Sequence, residues 1–289
     1  MHAVVFAYHD VGVNCLKALL DAGIQVDLVV THQDDPNENV WFGSVAKLCV
    51  DKNIPYITPN ANELLALIPT LQSLAPDYIF SFYYRFMIPE QILACAKIAA
   101  LNMHGSLLPK YRGRAPVNWA ILHGETETGA TLHIMEVKPD AGDIVGQAAV
   151  SIDPDETATD VFAKVSQAAV SVIHQVLPSL IQGIVPRKPN NLEKGGYFGG
   201  RKPADGQIHW NQTAKQVHDL VRAVAPPYPG AFTNHEDVTM IVARTTLKGP
   251  FPAALNLGVC GIQVVDNRVF GICGDHQAVE ILEWFPASN

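Results

Sequence analysis

Between Ala3 and Tyr84 the chain alternates short β-rich runs with helical patterns: "AVVFAY", "VNCLKALLDAG", "QVDLVVT", "SVAKLCVDKN", "IPYIT", "NELLALIPTLQSLA" and "DYIFSFYY" follow one another. Neighbouring strands that run the same way need a long crossover, and helix-length segments stand between most of these runs. The pattern predicts βαβ units and a mostly parallel sheet with helices on both faces, its strands apolar throughout. Gly23 fits a helix C-cap before the second strand. The first strand-to-helix turn, "AYHDVGVN", has one glycine where a dinucleotide fingerprint needs three, so the fold reads as Rossmann-like without the signature of NAD binding.

After "IAALNMH" the pattern changes to "GATLHIMEVKPDAGDIVGQAAVSI", two strand-like runs joined by a Pro, Asp and Gly loop, and then to a helix from roughly Thr157 to Gln182. We expect a first, catalytic domain over 1–189. The polar stretch "PRKPNNLEKGGYFGGRKPADG" reads as a linker over 190–205 that also carries substrate contacts. A second domain over 206–289 follows, with one helix, "TAKQVHDLVRAV", and short strands that suggest a small β-barrel-like (OB-like) unit.

With 289 residues and 48% hydrophobic content, the chain has ample material for a packed core. Its formal charge of −8 opposes an extended nucleic-acid surface. It shows no basic leader and no apolar run long enough to span a bilayer, so a cytoplasmic, membrane-free setting is expected. Its five cysteines are scattered among apolar neighbours without metal-ligand spacing, and we expect no metal.

The stretch "LNMHGSLLPKYRGRAPVNWA", residues 101–120, ends an apolar strand on two polar side chains. Alternation along a strand puts Asn102 and His104 on one face, at the carboxyl end where open α/β sheets bind ligands. Satisfying loop backbone groups is the other use of such a pair. Gly105, Gly113 and the prolines allow close backbone approach, and Pro116 suits the start of a helix. Asp140, in "KPDAGD", is a candidate partner that would orient an imidazole and raise its pKa, with Asp143 nearby as an ordinary turn residue. His9 and Asp10 follow the first strand and would border the crevice or form a turn. Arg201 and Arg222 are candidates for diphosphate contacts or plain surface charge. Trp119, Trp210 and Tyr228 would stack on a base or sugar, or pack internally.

"LNMHGSLLPKYRGRAP" together with "PDAGDI" resembles the 10-formyltetrahydrofolate-dependent formyltransferases. "VVFAYHDVG", "FSFYYRFMI", "GETETG" and "LVRAVAPPYPGAF" extend the likeness to the UDP-4-amino-4-deoxy-L-arabinose formyltransferase domain (ArnA type). The resemblance implies transfer of a formyl group from 10-formyltetrahydrofolate to the 4-amino group of UDP-4-amino-4-deoxy-L-arabinose, as in lipid A modification and polymyxin resistance. It implies that Asn102 stabilises the oxyanion, that His104 handles the proton as an imidazolium acid, and that Asp140 orients His104 and raises its pKa. Phe86, Met87, Ile88, Arg114, Glu136, Val137, Lys138, Pro139 and Asp140 would contact the folate. Association with a separate or fused decarboxylase domain is a further implication. The alternatives are methionyl-tRNA formyltransferase, a formyltransferase acting on another nucleotide-linked amino sugar, and a non-catalytic folate or nucleotide-sugar binding protein. "RGRAPVNW" and the acidic charge oppose the tRNA reading.

Overall fold

In a computed structural model describing residues 1–287, the chain runs β1 (His2–Ala7), α1 (His9–Asp21), β2 (Gln25–Val30), α2 (Val45–Lys52), β3 (Tyr56–Ile57), α3 (Ile68–Leu74), β4 (Tyr78–Phe82), α4 (Glu90–Leu93) and β5 (Ala99–His104). It continues through β6 (Arg112–Gly113), α5 (Pro116–Leu122), β7 (Glu127–Ile134), β8 (Ile144–Ser151), α6 (Ala158–Ile181) and β9 (Tyr197–Phe198). The last elements are α7 (Ala214–Val224), β10 (Ala231–His235), β11 (Val238–Thr246), β12 (Gly261–Val265), β13 (Arg268–Ile272) and β14 (Ala278–Pro286). Two compact units result. The first comprises Met1–Gly113, Thr128–Val150 and Ala163–Phe198; the second comprises Arg114–Glu127, Ser151–Phe162 and the chain from Gly199 onward.

The first unit is built on a seven-stranded sheet in the order β3-β2-β1-β4-β5-β7-β8. Its strands from β3 to β5 are parallel, and β7 runs antiparallel to β5. Strands covered on both faces must be apolar along their whole length, and β4 is buried at every residue. Local signals set the crossover limits: the Ser44 side chain accepts the Lys47 N–H to start α2, and Asn53 ends it in the left-handed region at φ 54°. The order reverses between β1 and β4, so the crevice of this sheet opens at their carboxyl ends, next to the carboxyl end of β5.

The second unit holds α5, α7 and an antiparallel sheet in the order β10-β11-β14-β13-β12. Register shifts on both sides of Arg244 in β11 bend the sheet into its barrel-like form. A small core of Leu255, Phe270, Ile272 and Ala278 fills it. Trp210 is used in packing, its indole N–H donating to Thr233 Oγ1 at 3.0 Å. α7 begins with a capping box between Thr213 and Gln216. No helix among the described residues is long and apolar enough to cross a membrane.

Arg222, expected to meet a diphosphate, is instead an internal brace. It is buried, donates through Nε to Asp219 Oδ1 at 2.9 Å, and reaches the Glu156 carbonyl with Nη1 at 3.2 Å. Asp219→Ala strands that guanidinium, so we expect a loss of about 3 to 5 kcal/mol in chemical denaturation. A loss below about 1 kcal/mol in that measurement contradicts the bracing role.

Candidate active site

Asn102 and His104 leave β5 on one side while Leu101 and Met103 occupy the other, as strand alternation requires. The pairing with β7 sets Asn102 opposite His133 and His104 opposite Thr131. His133 therefore joins the site, although nothing in its local sequence marks it. Its Nδ1 lies 2.8 Å from the Ile134 carbonyl, which can only accept, so Nδ1 carries the hydrogen. Nε2 of His133 then accepts from the Asn102 amide nitrogen at 3.1 Å, which fixes the orientation of that amide.

The same reasoning assigns the protons of His104. Its Nε2 donates to the Tyr111 carbonyl at 2.8 Å, leaving Nδ1 as the basic atom. Nδ1 faces Asp140 Oδ1 at 3.5 Å, and His133 Nε2 faces that same oxygen at 3.3 Å. Neither nitrogen carries a hydrogen while its ring is neutral. The donor that Asp140 does receive is the Gly113 N–H, 2.8 Å from Oδ2. One proton added to His104 Nδ1 turns the 3.5 Å approach into a charge-assisted hydrogen bond.

The loop that presents Asp140 is held from two sides. Asp140 adopts a left-handed backbone, φ 51°, and a side chain at Gly142 would drive its Cβ into the Ile134 carbonyl oxygen. Asn190 donates its amide hydrogens to the carbonyls of Asp140 and Gly142, at 3.1 and 3.2 Å.

Burial alone would raise the Asp140 carboxyl, but His104, His133 and the Gly113 N–H together hold it well below the usual carboxylate range. His104 corrects an expectation. Asp140 and the Tyr111 carbonyl do raise its affinity for a proton, yet burial outweighs them and the net shift is downward. His104 therefore rests as a neutral base, not as an imidazolium acid.

Other expected residues fall in different places. Phe86 and Ile88 pack, with Met135, on the core cluster that contains Val4, Phe6 and Ile79. Between and beyond them Met87 and Val137 are exposed, as are Glu136 and Lys138, and Pro139 is half-buried. Arg114 is exposed and belongs to the second unit. Asp10 accepts the Gly43 N–H at 2.7 Å, tying the 41–43 loop to the start of α1. His9 stacks on Phe42 with ring centroids 4.0 Å apart, and burial pushes its pKa down to about 4. Arg201, in the second unit, lies over the Trp119 ring and donates to the Asp205 carbonyl.

Two expectations follow. The rate profile of the protein should lose activity on the acid side below the ordinary imidazole value, as His104 protonates. Removing the carboxylate by Asp140→Asn takes away a contribution that raises His104, so that limb should move to still lower pH and turnover should drop on the order of a hundredfold. An unmoved limb in the measured profile removes Asp140 from the proton chemistry.

For stability, His9 and His32 are both lowered by burial from 6.5 to about 4, so the unfolded chain binds protons that the native state refuses. Unfolding free energy should therefore decline as the pH falls from about 6.5 towards about 4. Denaturation midpoints that stay level between pH 7 and pH 5 would speak against neutral buried imidazoles.

A family model described as "Formyl transferase" matches residues 2–177, and one described as "Formyl transferase, C-terminal domain" matches residues 201–288. Among solved structures, the chain is similar to WlaRD, a sugar 3N-formyl transferase determined in the presence of dTDP and 5-N-formyl-THF. That match has 20% identity and a TM-score of 0.75, over 100% of this chain and 98% of that one. An N-formyltransferase from Helicobacter canadensis, in complex with folinic acid and dTDP-3-aminofucose, is similar at 18% identity and a TM-score of 0.74, over 98% and 99% of the two chains. A 4-N formyltransferase from Francisella tularensis gives 24% identity and a TM-score of 0.65, over 80% and 91%.

Proposed function

Because the chain belongs to the formyl transferase family, whose model covers more than half of it, we propose that it moves the formyl group of 10-formyltetrahydrofolate to the 4-amino group of a UDP-linked amino sugar, UDP-4-amino-4-deoxy-L-arabinose. The observation that carries this reading is the meeting of Asn102, His104 and Asp140 at the end of β5. The substrate amine attacks the formyl carbon and a C–N bond forms. Negative charge gathers on the formyl oxygen, where the Asn102 amide hydrogen not engaged with His133 donates to it. The amine's proton passes to His104 Nδ1, and Asp140 stabilises the resulting imidazolium. Collapse breaks the bond from the carbon to N10 of the folate, and His104 returns the proton to that nitrogen. The products are a formamido sugar and tetrahydrofolate, with His104 neutral again.

Phe86, Met87, Ile88, Arg114 and the stretch from Glu136 to Asp140 form the proposed folate contacts. Support comes from Phe86, Ile88 and Met135 packing on one cluster, which brings the first and last of these segments together. Of the similar proteins described above, one is a sugar 3N-formyl transferase solved with dTDP and another an N-formyltransferase solved with dTDP-3-aminofucose, which favours a nucleotide-linked amino sugar as acceptor. The uridine form would belong to lipid A modification in the cytoplasm, beside a separate or fused decarboxylase. His9 and Asp10 would border the acceptor.

The test incubates the protein and 10-formyltetrahydrofolate with UDP-4-amino-4-deoxy-L-arabinose, a dTDP-4-amino sugar and methionyl-tRNA separately, following product by mass. We expect formylation of the UDP-sugar and none of the tRNA. Product only on the dTDP-sugar keeps the chemistry and overturns the base; product only on tRNA overturns the acceptor class. Asn102→Ala and His104→Ala should each lower turnover on the order of a hundredfold or more with the fold intact by circular dichroism.

A further inference from the structure

Among the described residues the fold buries two arginines, Arg112 and Arg222. Arg222 is fully compensated by Asp219 and by backbone carbonyls. Arg85 is likewise gripped by both oxygens of Glu38 and Arg268 by both oxygens of Glu280, whereas the partly buried Arg201 keeps an unpartnered Nε and donates through Nη2 to the Asp205 carbonyl. Lys215 and Lys248, which line a cavity of the second unit, are paired with Asp219 and Asp155. Arg112 differs from Arg222, the other buried arginine. It is only 8% exposed, its buried Nε has no hydrogen-bond partner, and its guanidinium forms no ion pair among the described residues. A guanidinium cannot relieve the burial by losing its proton. A buried guanidinium with no ion pair and an unpartnered Nε–H is unfavourable, which makes this position receptive to an anion.

Its placement says what kind of thing. Arg112 lies on β6 between Tyr111, whose carbonyl accepts from His104, and Gly113, whose N–H holds Asp140. Its own N–H donates to the Gly196 carbonyl at 3.0 Å, and it pairs with Tyr197 of β9. The backbone is thus fixed relative to the catalytic set. A cation there suits a permanent anionic group of a substrate.

We propose that Arg112 is a substrate-binding residue that receives an oxyanion, phosphate or carboxylate, of one of the two substrates in a two-pronged guanidinium contact. This rests on the formyl-transfer reading above, whose acceptor carries a diphosphate and whose donor carries a glutamate carboxylate. Either matches the planar fork of a guanidinium.

Thermal unfolding and calorimetric binding on the full chain test it, with UDP, folinic acid and pyrophosphate each added alone to wild type, Arg112→Met and Arg112→Lys. Without ligand, Arg112→Met should unfold at the same temperature as wild type or higher, because it removes an uncompensated buried charge. Its affinity for one of the ligands should fall about ten- to hundredfold, with Arg112→Lys in between. Loss confined to UDP and pyrophosphate identifies the diphosphate, and loss confined to folinic acid the carboxylate. Pyrophosphate binding that needs Arg112 in a protein that takes neither UDP nor folinic acid keeps the anion site and sinks the functional reading. A ligand-free Arg112→Met protein that unfolds well below wild type makes the arginine a structural brace and overturns the proposal. Unchanged binding of all probes by the variant overturns it too, as does a wild type that binds none of them.

Discussion

Burial alone would raise the Asp140 carboxyl, yet its surroundings hold it below the usual carboxylate range, and the rest of the site depends on that charge. One backbone N–H donates to it, and two imidazole nitrogens face it, each able to donate once its ring takes a proton. A continuous chain of contacts runs from Asn102 through His133 and Asp140 to His104 and the Tyr111 carbonyl. The oxyanion donor, the orienting carboxylate and the base are therefore set by one network. Because both rings give their hydrogens to backbone carbonyls, the network lacks a proton between His104 and Asp140, and it has a defined place to receive one.

The carboxyl edge of the sheet handles charge differently. Around the ends of β1, β2 and β4, Tyr8, His9, His32, Phe42, Tyr84 and Phe86 pack ring against ring, and burial keeps both histidines neutral. Arg85 crosses this wall over the Tyr8 ring and is neutralised by Glu38. His9 and Tyr83 hold left-handed backbones at φ 64° and 58°, a strain on the order of 1 kcal/mol each that tight packing sustains.

Most of the fold was legible because its signals are local. The apolar runs became β1, β2, β4 and β5, since strands buried on both faces cannot be amphipathic. The helix read from Thr157 to Gln182 is α6, Ala158–Ile181. The strand pattern after α7 gave the antiparallel sheet, with β10 added because its short apolar stretch gains meaning only from pairing with β11. Residues around Asn190 and Phe198 carried little periodicity, yet Asn190 clamps the Asp140 loop and Phe198 lies in β9 beside Gly113.

At the site, alternation along one strand sufficed to set Asn102 and His104 on a common face, and the family resemblance of "PDAGDI" pointed to Asp140. The sequence by itself determined that an amide and an imidazole would stand together at the end of a buried strand, because that follows from a period of two. It did not determine His133, whose place opposite Asn102 comes from strand pairing across 31 residues. Nor did it determine the charge of His104, because Asp140 and burial act on it in opposite directions, and their balance exists only once the chain has packed. The roles of the arginines were decided the same way. Arg222 and Arg112 are equally cationic as residues, and only tertiary structure gives the one a carboxylate partner and leaves the other without.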